Sequence, residues 1–542
     1  MASLLMVIGS IVVFIIAYAT YGSWLAQKWG VDSTRKTPAH EINDGVDYVP
    51  TSSAVLLGHH FSSIAGAGPI NGPIQAAIFG WVPVLLWIVI GSIFFGGVHD
   101  FGSLFVSIRH KGKSIGEVIN DTMGQKGKKL FSIFAWLTLL LIVAAFSNIV
   151  ASTFASTPEA ATSSLLFMIL AIGFGYAVYR KGVSLKVGTV VGVILLFVCV
   201  WLGTLFPLQL SVNTWIVILA IYIFIASTAP VWILLQPRDY LNSFLLYAMM
   251  IGAVLGIIIY RPEIKLDAIT AFKVVDGNNV QYLFPMLFVT VACGAISGFH
   301  SLVASGTTSK QIDNEKDSKK IGYGGMLIEG ALAVIALITA AYLTQGELSE
   351  LLKDGPVNVF SNGIGVFMSK LGIPFETGKT FVALAVSAFA LTSLDTATRL
   401  GRFIFQEYFE DPEKETQSSL TNMYVSTLII VVLASILASG GYAVIWPIFG
   451  SANQLLSALA LMAVALWLKK SNKSFNMITI PMIFMLVVTL SALVLLIKNN
   501  FIAANYVLVV LPILLFILAI VLAVEGYKIL FKKDTKVSQQ MK

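Results

Sequence analysis

"GHHFSSIAGAGPINGP", residues 58–73, breaks into an otherwise charge-free apolar run with two adjacent histidines, four glycines, two prolines and three Ser or Asn side chains. Glycine adds to the entropic cost of a helix and interior proline removes a backbone hydrogen bond, so this stretch makes a poor continuous helix. Its surroundings are hydrocarbon-like. Of 542 residues 57% are hydrophobic and 12% charged, with a mean hydropathy of +0.85, whereas ordinary soluble domains carry about 25% charged residues. The chain is therefore an integral membrane protein.

Charge-free runs near the length that crosses a bilayer begin at about residues 4, 53, 81, 129, 163, 187, 213, 241, 282, 322, 379, 421, 442, 475 and 504, which predicts about 15 transmembrane helices in an all-α polytopic membrane protein. Short cytoplasmic loops collect Lys and Arg. With the N-terminus outside and the C-terminus cytoplasmic, the inner segments are 26–52, 109–129, 180–186, 235–241, 307–321, 399–420, 469–474 and 528–542, and they hold 28 of the 35 Lys and Arg. A cytoplasmic face against anionic lipid accounts for the net charge of +7 without nucleic acid. The first apolar run lacks a basic n-region and a small-residue cleavage site, so it reads as a retained span. Cys199 and Cys293 both lie in apolar spans, which excludes a disulfide framework or a cysteine cage.

A second glycine-interrupted run, "SGFHSLVASGTTSK", occupies 297–310. Laid on the first without gaps, it matches Gly58 with Gly298, His60 with His300 and Gly66 with Gly306, and the lead-ins "NDGVDYVP" (43–50) and "DGNNVQYLFP" (276–285) share Asp-Gly, Tyr and Pro. The two runs fall on spans two and nine. An odd shift reverses direction through the bilayer, so the pair predicts an inverted repeat with two discontinuous helices, the signature of a secondary transporter whose site lies near the midplane. Unwound backbone leaves N–H and C=O groups that hydrocarbon cannot satisfy, so it is tolerated only against protein, water or ligand. Glycine as packing surface and proline as a kink are the plainer reading.

Ionisable groups within spans cost about 2.5–3.5 kcal/mol each at the bilayer centre, which makes each a functional candidate. They are His59, His60, His99, His300, Asp100, Glu329 and Asp395. His99 and Asp100 either titrate as a pair or anchor span three. Asp395 either serves a site or pairs with Arg399 at i,i+4. Thr392 and Ser393 offer hydroxyl oxygens to a hard cation, or bond back to their own helix. Glu329 has no basic residue within a turn and suits proton exchange. Asn453 and Gln454, in "WPIFGSANQLL", either reach a ligand or bond between helices. The adjacent pair in "GHHF" lacks the i,i+4 spacing of a metal site, so neither a metal nor an intramembrane zinc enzyme is expected.

"GGVHDFGSLFVSIRHKGKSIGE", "ACGAISGFHSLVASGTTSKQ", "SAFALTSLDTATRLGRF" and "WPIFGSANQLL" resemble the carbon starvation protein A (CstA) family, over about residues 37–467. The resemblance implies secondary active uptake of short peptides or pyruvate, driven by protons, and induction when carbon is scarce. It also implies a LeuT/APC-like 5+5 inverted-repeat core. On this chain that core maps to 53–207 and 282–468, flanked by 1–52, a linking 208–281 and a peripheral 469–542. In that architecture the eighth core helix lends hydroxyls to a cation site, and the matching span carries Thr392, Ser393 and Asp395. The expected substrate site comprises His59, His60, Ser62, Gly66, Gly68, Asn71, His300, Ser301, Ser305 and Gly306, with coupling through His99, Asp100, Glu329, Thr392, Ser393 and Asp395 to a proton or sodium ion. No cofactor or enzymatic activity is expected. The rivals are a nutrient-binding membrane sensor and a sodium-coupled carrier.

Overall fold

The computed structural model describes residues 1–45, 47–229, 234–276, 279–410 and 418–531. Gly277 of the second lead-in, Lys414 of one basic loop and the basic tail from Lys532 lie outside the described residues. Twelve described helices are long and apolar enough to cross a membrane, and Val212–Thr228 and Met423–Ala438 are shorter apolar ones. The first broken helix adds two further pieces, Ser53–Ala65 and Gly68–Ala76.

Helix starts follow from local chemistry. Ser114, Ser184 and Ser211 each accept the backbone N–H three residues on, capping Ile115–Ser156, Leu185–Leu205 and Val212–Thr228. Two of the longest helices, Ile115–Ser156 (interrupted at Gly124) and Phe375–Phe409, pack along each other and form the spine of the molecule. The apolar window of Ile445–Lys470 is 100% buried, whereas that of Leu185–Leu205 is only 22% buried. The first is a core helix; the second, although assigned to the first repeat unit, presents most of its surface outward.

Two readings of the sequence are corrected. The polar stretch between the candidate spans that begin near 322 and 379 contains two helices, Gln345–Leu351 and Pro356–Ser369. The second is amphipathic, burying Val357, Phe360, Ile364 and Phe367 at helical spacing, but at 14 residues it is too short to register as a span. The inner segment 235–241 is not an aqueous loop: the helix Leu235–Tyr260 has already begun, and Arg238 is 1% exposed. The described membrane spans are all helical, as expected, and the one described sheet is small. A hairpin pairs Lys273–Asp276 with Asn279–Tyr282 in antiparallel register, Lys273 opposite Tyr282, ahead of the second broken helix.

Candidate functional site

The opening stretch is broken where its glycines fall. Ser53–Ala65 ends at Gly66, whose φ of +40° lies in the region glycine adopts without steric cost. Gly68–Ala76 then starts afresh with Pro69 in its first turn, where the missing N–H costs nothing. Ser393, on Phe375–Phe409, donates to the Ser63 carbonyl at 3.3 Å, next to the first break.

The second break lies upstream of the glycines that the ungapped alignment paired. Leu283–Val291 ends at Ala292 (φ +42°), and the chain resumes α-helix only at Gly298–Gly306. Gly306, expected in the substrate site, therefore closes a helix, where carbonyls and not N–H groups are presented. Asn453 is the reason the helix can restart: its Oδ1 accepts the Phe299 N–H at 2.9 Å and its Nδ2 donates to Ser297 Oγ at 3.0 Å. Gln454 Nε2 donates to the Phe288 carbonyl at 2.5 Å, so both amides serve as helix-to-helix bonds. The two breaks adjoin. A Cβ placed on Gly68 would lie 2.5 Å from Cys293 Sγ, and one on Gly72 2.3 Å from the Val291 carbonyl.

Beside the second break, four ionisable side chains form one fully buried chain. His99 Nδ1 donates to Asp100 Oδ1 at 2.6 Å and His300 Nδ1 to Asp100 Oδ2 at 2.8 Å. The other His300 nitrogen stands 3.4 Å from Glu329 Oε2. That contact lacks hydrogen-bond geometry, and both Glu329 oxygens and His99 Nε2 have no hydrogen-bond partner among the described residues. Cys293, His300 and Glu329 bring ligand-type atoms within 4.8 Å of one another. The sequence placed His300 and Glu329 in separate roles and left Cys293 out of the site.

His59 and His60 diverge, as neighbours on one helix must. His60, buried, meets Thr308 Oγ1 through Nδ1 at 2.8 Å, while His59 turns outward, 4.0 Å from Asp239 Oδ2. Asp239 belongs to a second cluster that the sequence reading missed. Arg238 reaches Asp395 and the Tyr222 hydroxyl through Nη1, and Asp239 Oδ1 (3.1 Å) and Thr392 Oγ1 (3.4 Å) through Nη2. Thr392 itself donates to Asp239 Oδ1, and Asn242 Nδ2 donates to Thr392. The expected pairing of Asp395 with Arg399 is thus corrected. Arg399 is spent on the carbonyls of Ala226 and Ala229, at 2.9 and 2.8 Å. The one signal available was the adjacent pair Arg238-Asp239 between two apolar runs, which hydropathy assigns to a loop.

Of the remaining expected residues, Ser301 and Ser305 bond back to the carbonyls of Gly298 and Ser301, at 2.7 and 2.6 Å. Ser62 Oγ and both amide atoms of Asn71 are fully buried and have no partner among the described residues. Such groups cost about 1–3 kcal/mol each unless something bonds them.

A polytopic helical bundle with two adjoining broken helices is the architecture of membrane transporters. A mutant of the manganese transporter of Eremococcus coleocola superposes with a TM-score of 0.54 at 12% identity, covering 90% of this chain and 99% of that one, a likeness of fold alone. The family described as carbon starvation protein CstA matches residues 2–351 and 345–492, and the chain belongs to it. The peptide transporter CstA of Bacillus subtilis is 32% identical, covering 100% of this chain and 98% of that protein. In Escherichia coli, the peptide transporter CstA is 33% identical over 90% of this chain and 80% of its own length. The pyruvate/proton symporter BtsT of the same organism is 32% identical over 91% and 81%. This chain is a multi-pass membrane transporter.

Proposed function

We propose that the protein is a secondary active transporter of the cell membrane that imports short peptides or pyruvate-like small carboxylates, coupled to protons, by alternating access. The observation that carries this is Asn71: a fully buried amide at the start of the second half of the first broken helix, unpartnered at both ends. Ser62 and the half-helix N-termini around Gly68 and Gly298 supply further donors of the kind a carboxylate takes. The reading extends to about fifteen spans with the N-terminus outside and the C-terminus cytoplasmic, and to repeat units at 53–207 and 282–468. The relatives named as a peptide transporter and a pyruvate/proton symporter support the substrate class and the coupling.

In this reading Glu329 carries the coupling proton, and Asp100, bridging His99 and His300, holds the imidazole that faces it. Purified protein in liposomes should accumulate pyruvate or a short peptide against its gradient when the lumen is made alkaline. Flat uptake under every imposed pH and sodium gradient would leave a nutrient sensor as the better description; accumulation driven by sodium alone would make it a sodium carrier. Glu329→Gln should abolish accumulation yet leave counterflow exchange largely intact, since exchange needs no net proton movement. Equal loss of both would remove Glu329 from the coupling role.

A second reading is favoured by the Cys293, His300 and Glu329 set. A soft thiolate, an imidazole whose other nitrogen is held by a carboxylate, and a free carboxylate also suit a transition-metal ion. Stoichiometric metal in the purified protein, lost in Cys293→Ser, would make Glu329 a ligand and move the proton elsewhere.

A further inference from the structure

Arg238 has no part in the reading above, yet it is among the largest fully buried side chains of the chain. We propose that Arg238 is a resident cation: its guanidinium fills an oxygen cage that would otherwise take a sodium ion, so the carrier runs without sodium. The inference rests on the carrier reading and concerns its coupling ion.

The cage is made of Asp395 Oδ2, Asp239 Oδ1, Thr392 Oγ1 and the Tyr222 hydroxyl, drawn from Val212–Thr228, Leu235–Tyr260 and Phe375–Phe409. Carboxylate and hydroxyl oxygens converging from three helices are the donor set a hard cation uses. Thr392 and Asp395 are two of the residues whose oxygens suited a coupling cation in the sequence. Here both face a guanidinium that cannot lose its proton and is tethered to the protein. The second oxygen of Asp239 points toward His59 on the first broken helix, 4.0 Å away. The next residue along, Ser393, bonds the Ser63 carbonyl one turn beyond His59 on the same half-helix. The fixed charge therefore sits where a mobile one would sense the first break. Two carboxylates buried without a cation would be costly, so removing Arg238 should create a demand for one.

The test uses thermal unfolding of the full chain in detergent and uptake in liposomes, with NaCl exchanged for KCl or choline chloride at constant ionic strength. The wild type should show no sodium-dependent shift in unfolding temperature and no saturable sodium stimulation of uptake. Arg238→Ala should unfold several degrees lower in choline chloride and recover saturably with NaCl but not with KCl, by linkage to a new site. Arg238→Lys should stay sodium-independent. If Arg238→Ala does not accumulate as folded protein, Arg238→Met with Asp239→Asn and Asp395→Asn, which removes the cation and both carboxylates together, should fold and show no sodium response, and restoring either carboxylate alone should bring a saturable response to NaCl. Saturable sodium stimulation of the wild type, or a folded Arg238→Ala insensitive to NaCl, would overturn the proposal. Sodium-independent stability in a wild type that moves no substrate would overturn the carrier reading and leave the filled cage standing.

Discussion

Asn71 poses a conflict at the scale of one residue. Its amide is buried without a protein partner, a cost an apolar isostere would not carry. Asn71→Leu should therefore raise the unfolding temperature of the substrate-free protein, by about 1–3 kcal/mol of stability, while raising the KM for uptake about tenfold for each lost hydrogen bond near 1.4 kcal/mol. Loss of both stability and uptake would give Asn71 a structural role. Gly66 is the opposite case, a residue fixed by geometry. Its positive φ and the 2.6 Å approach of Ser393 Oγ to any Cβ there predict that Gly66→Ala costs about 1–3 kcal/mol of strain. Thermal scans of Gly66→Ala with and without Ser393→Ala measure the steric share, and Ser393→Ala should return part of the loss. That the chain is a polytopic helical membrane protein was legible in the sequence; which atoms its buried residues meet was not. Asp395 has an arginine one turn away along its own helix, and its partner comes instead from 157 residues distant. Periodicity reads neighbours on one helix and is blind to contacts between helices.

Among the elements, the two broken helices differ in how far their sequences announce them. The first break carries its own cause, Gly66 followed by Gly68 and Pro69. The second, at 292–297, reads "ACGAIS" and holds one glycine; its turn begins on Ala292, and the helix beyond it is capped from another element by Asn453. That is why an ungapped alignment on glycines found the neighbourhood of the second broken helix but misplaced its rupture. Asn453→Leu should leave the Phe299 N–H buried and unpaired, costing about 1–3 kcal/mol, whereas Asn453→Asp keeps the accepting oxygen and should lose less. Differential scanning of both variants in detergent measures it; equal destabilisation would show that the donating side of the amide, toward Ser297, is what matters. The helix Pro356–Ser369 escaped for a different reason. Its apolar stripe is clear, but with a length below a span it was counted with the polar residues around it.

At the scale of the whole molecule, charge asymmetry predicts a direction across the membrane, and the proposed direction decides which face loads substrate. Of 35 Lys and Arg, 28 fall in segments that are cytoplasmic if the N-terminus is outside. Arg238, one of them, is buried and exerts no orienting pull as a loop charge, but the bias is large enough to survive its removal. The molecule offers a clean probe. Its two cysteines, Cys199 and Cys293, are buried, so a membrane-impermeant thiol reagent should leave the native protein unlabelled. Exposed Glu350 lies in a segment expected outside and exposed Ser33 in one expected inside. Glu350→Cys should label in intact cells; Ser33→Cys should label only after the membrane is opened. The reverse pattern would invert the bundle, turn the basic loops toward the medium, and require the carrier to bind its substrate first from the face assigned here to the cytoplasm. A pattern in which both label in intact cells would place an even number of crossings between 33 and 350, against the nine expected there from spans two to ten, and the proposed topology would have to be redrawn.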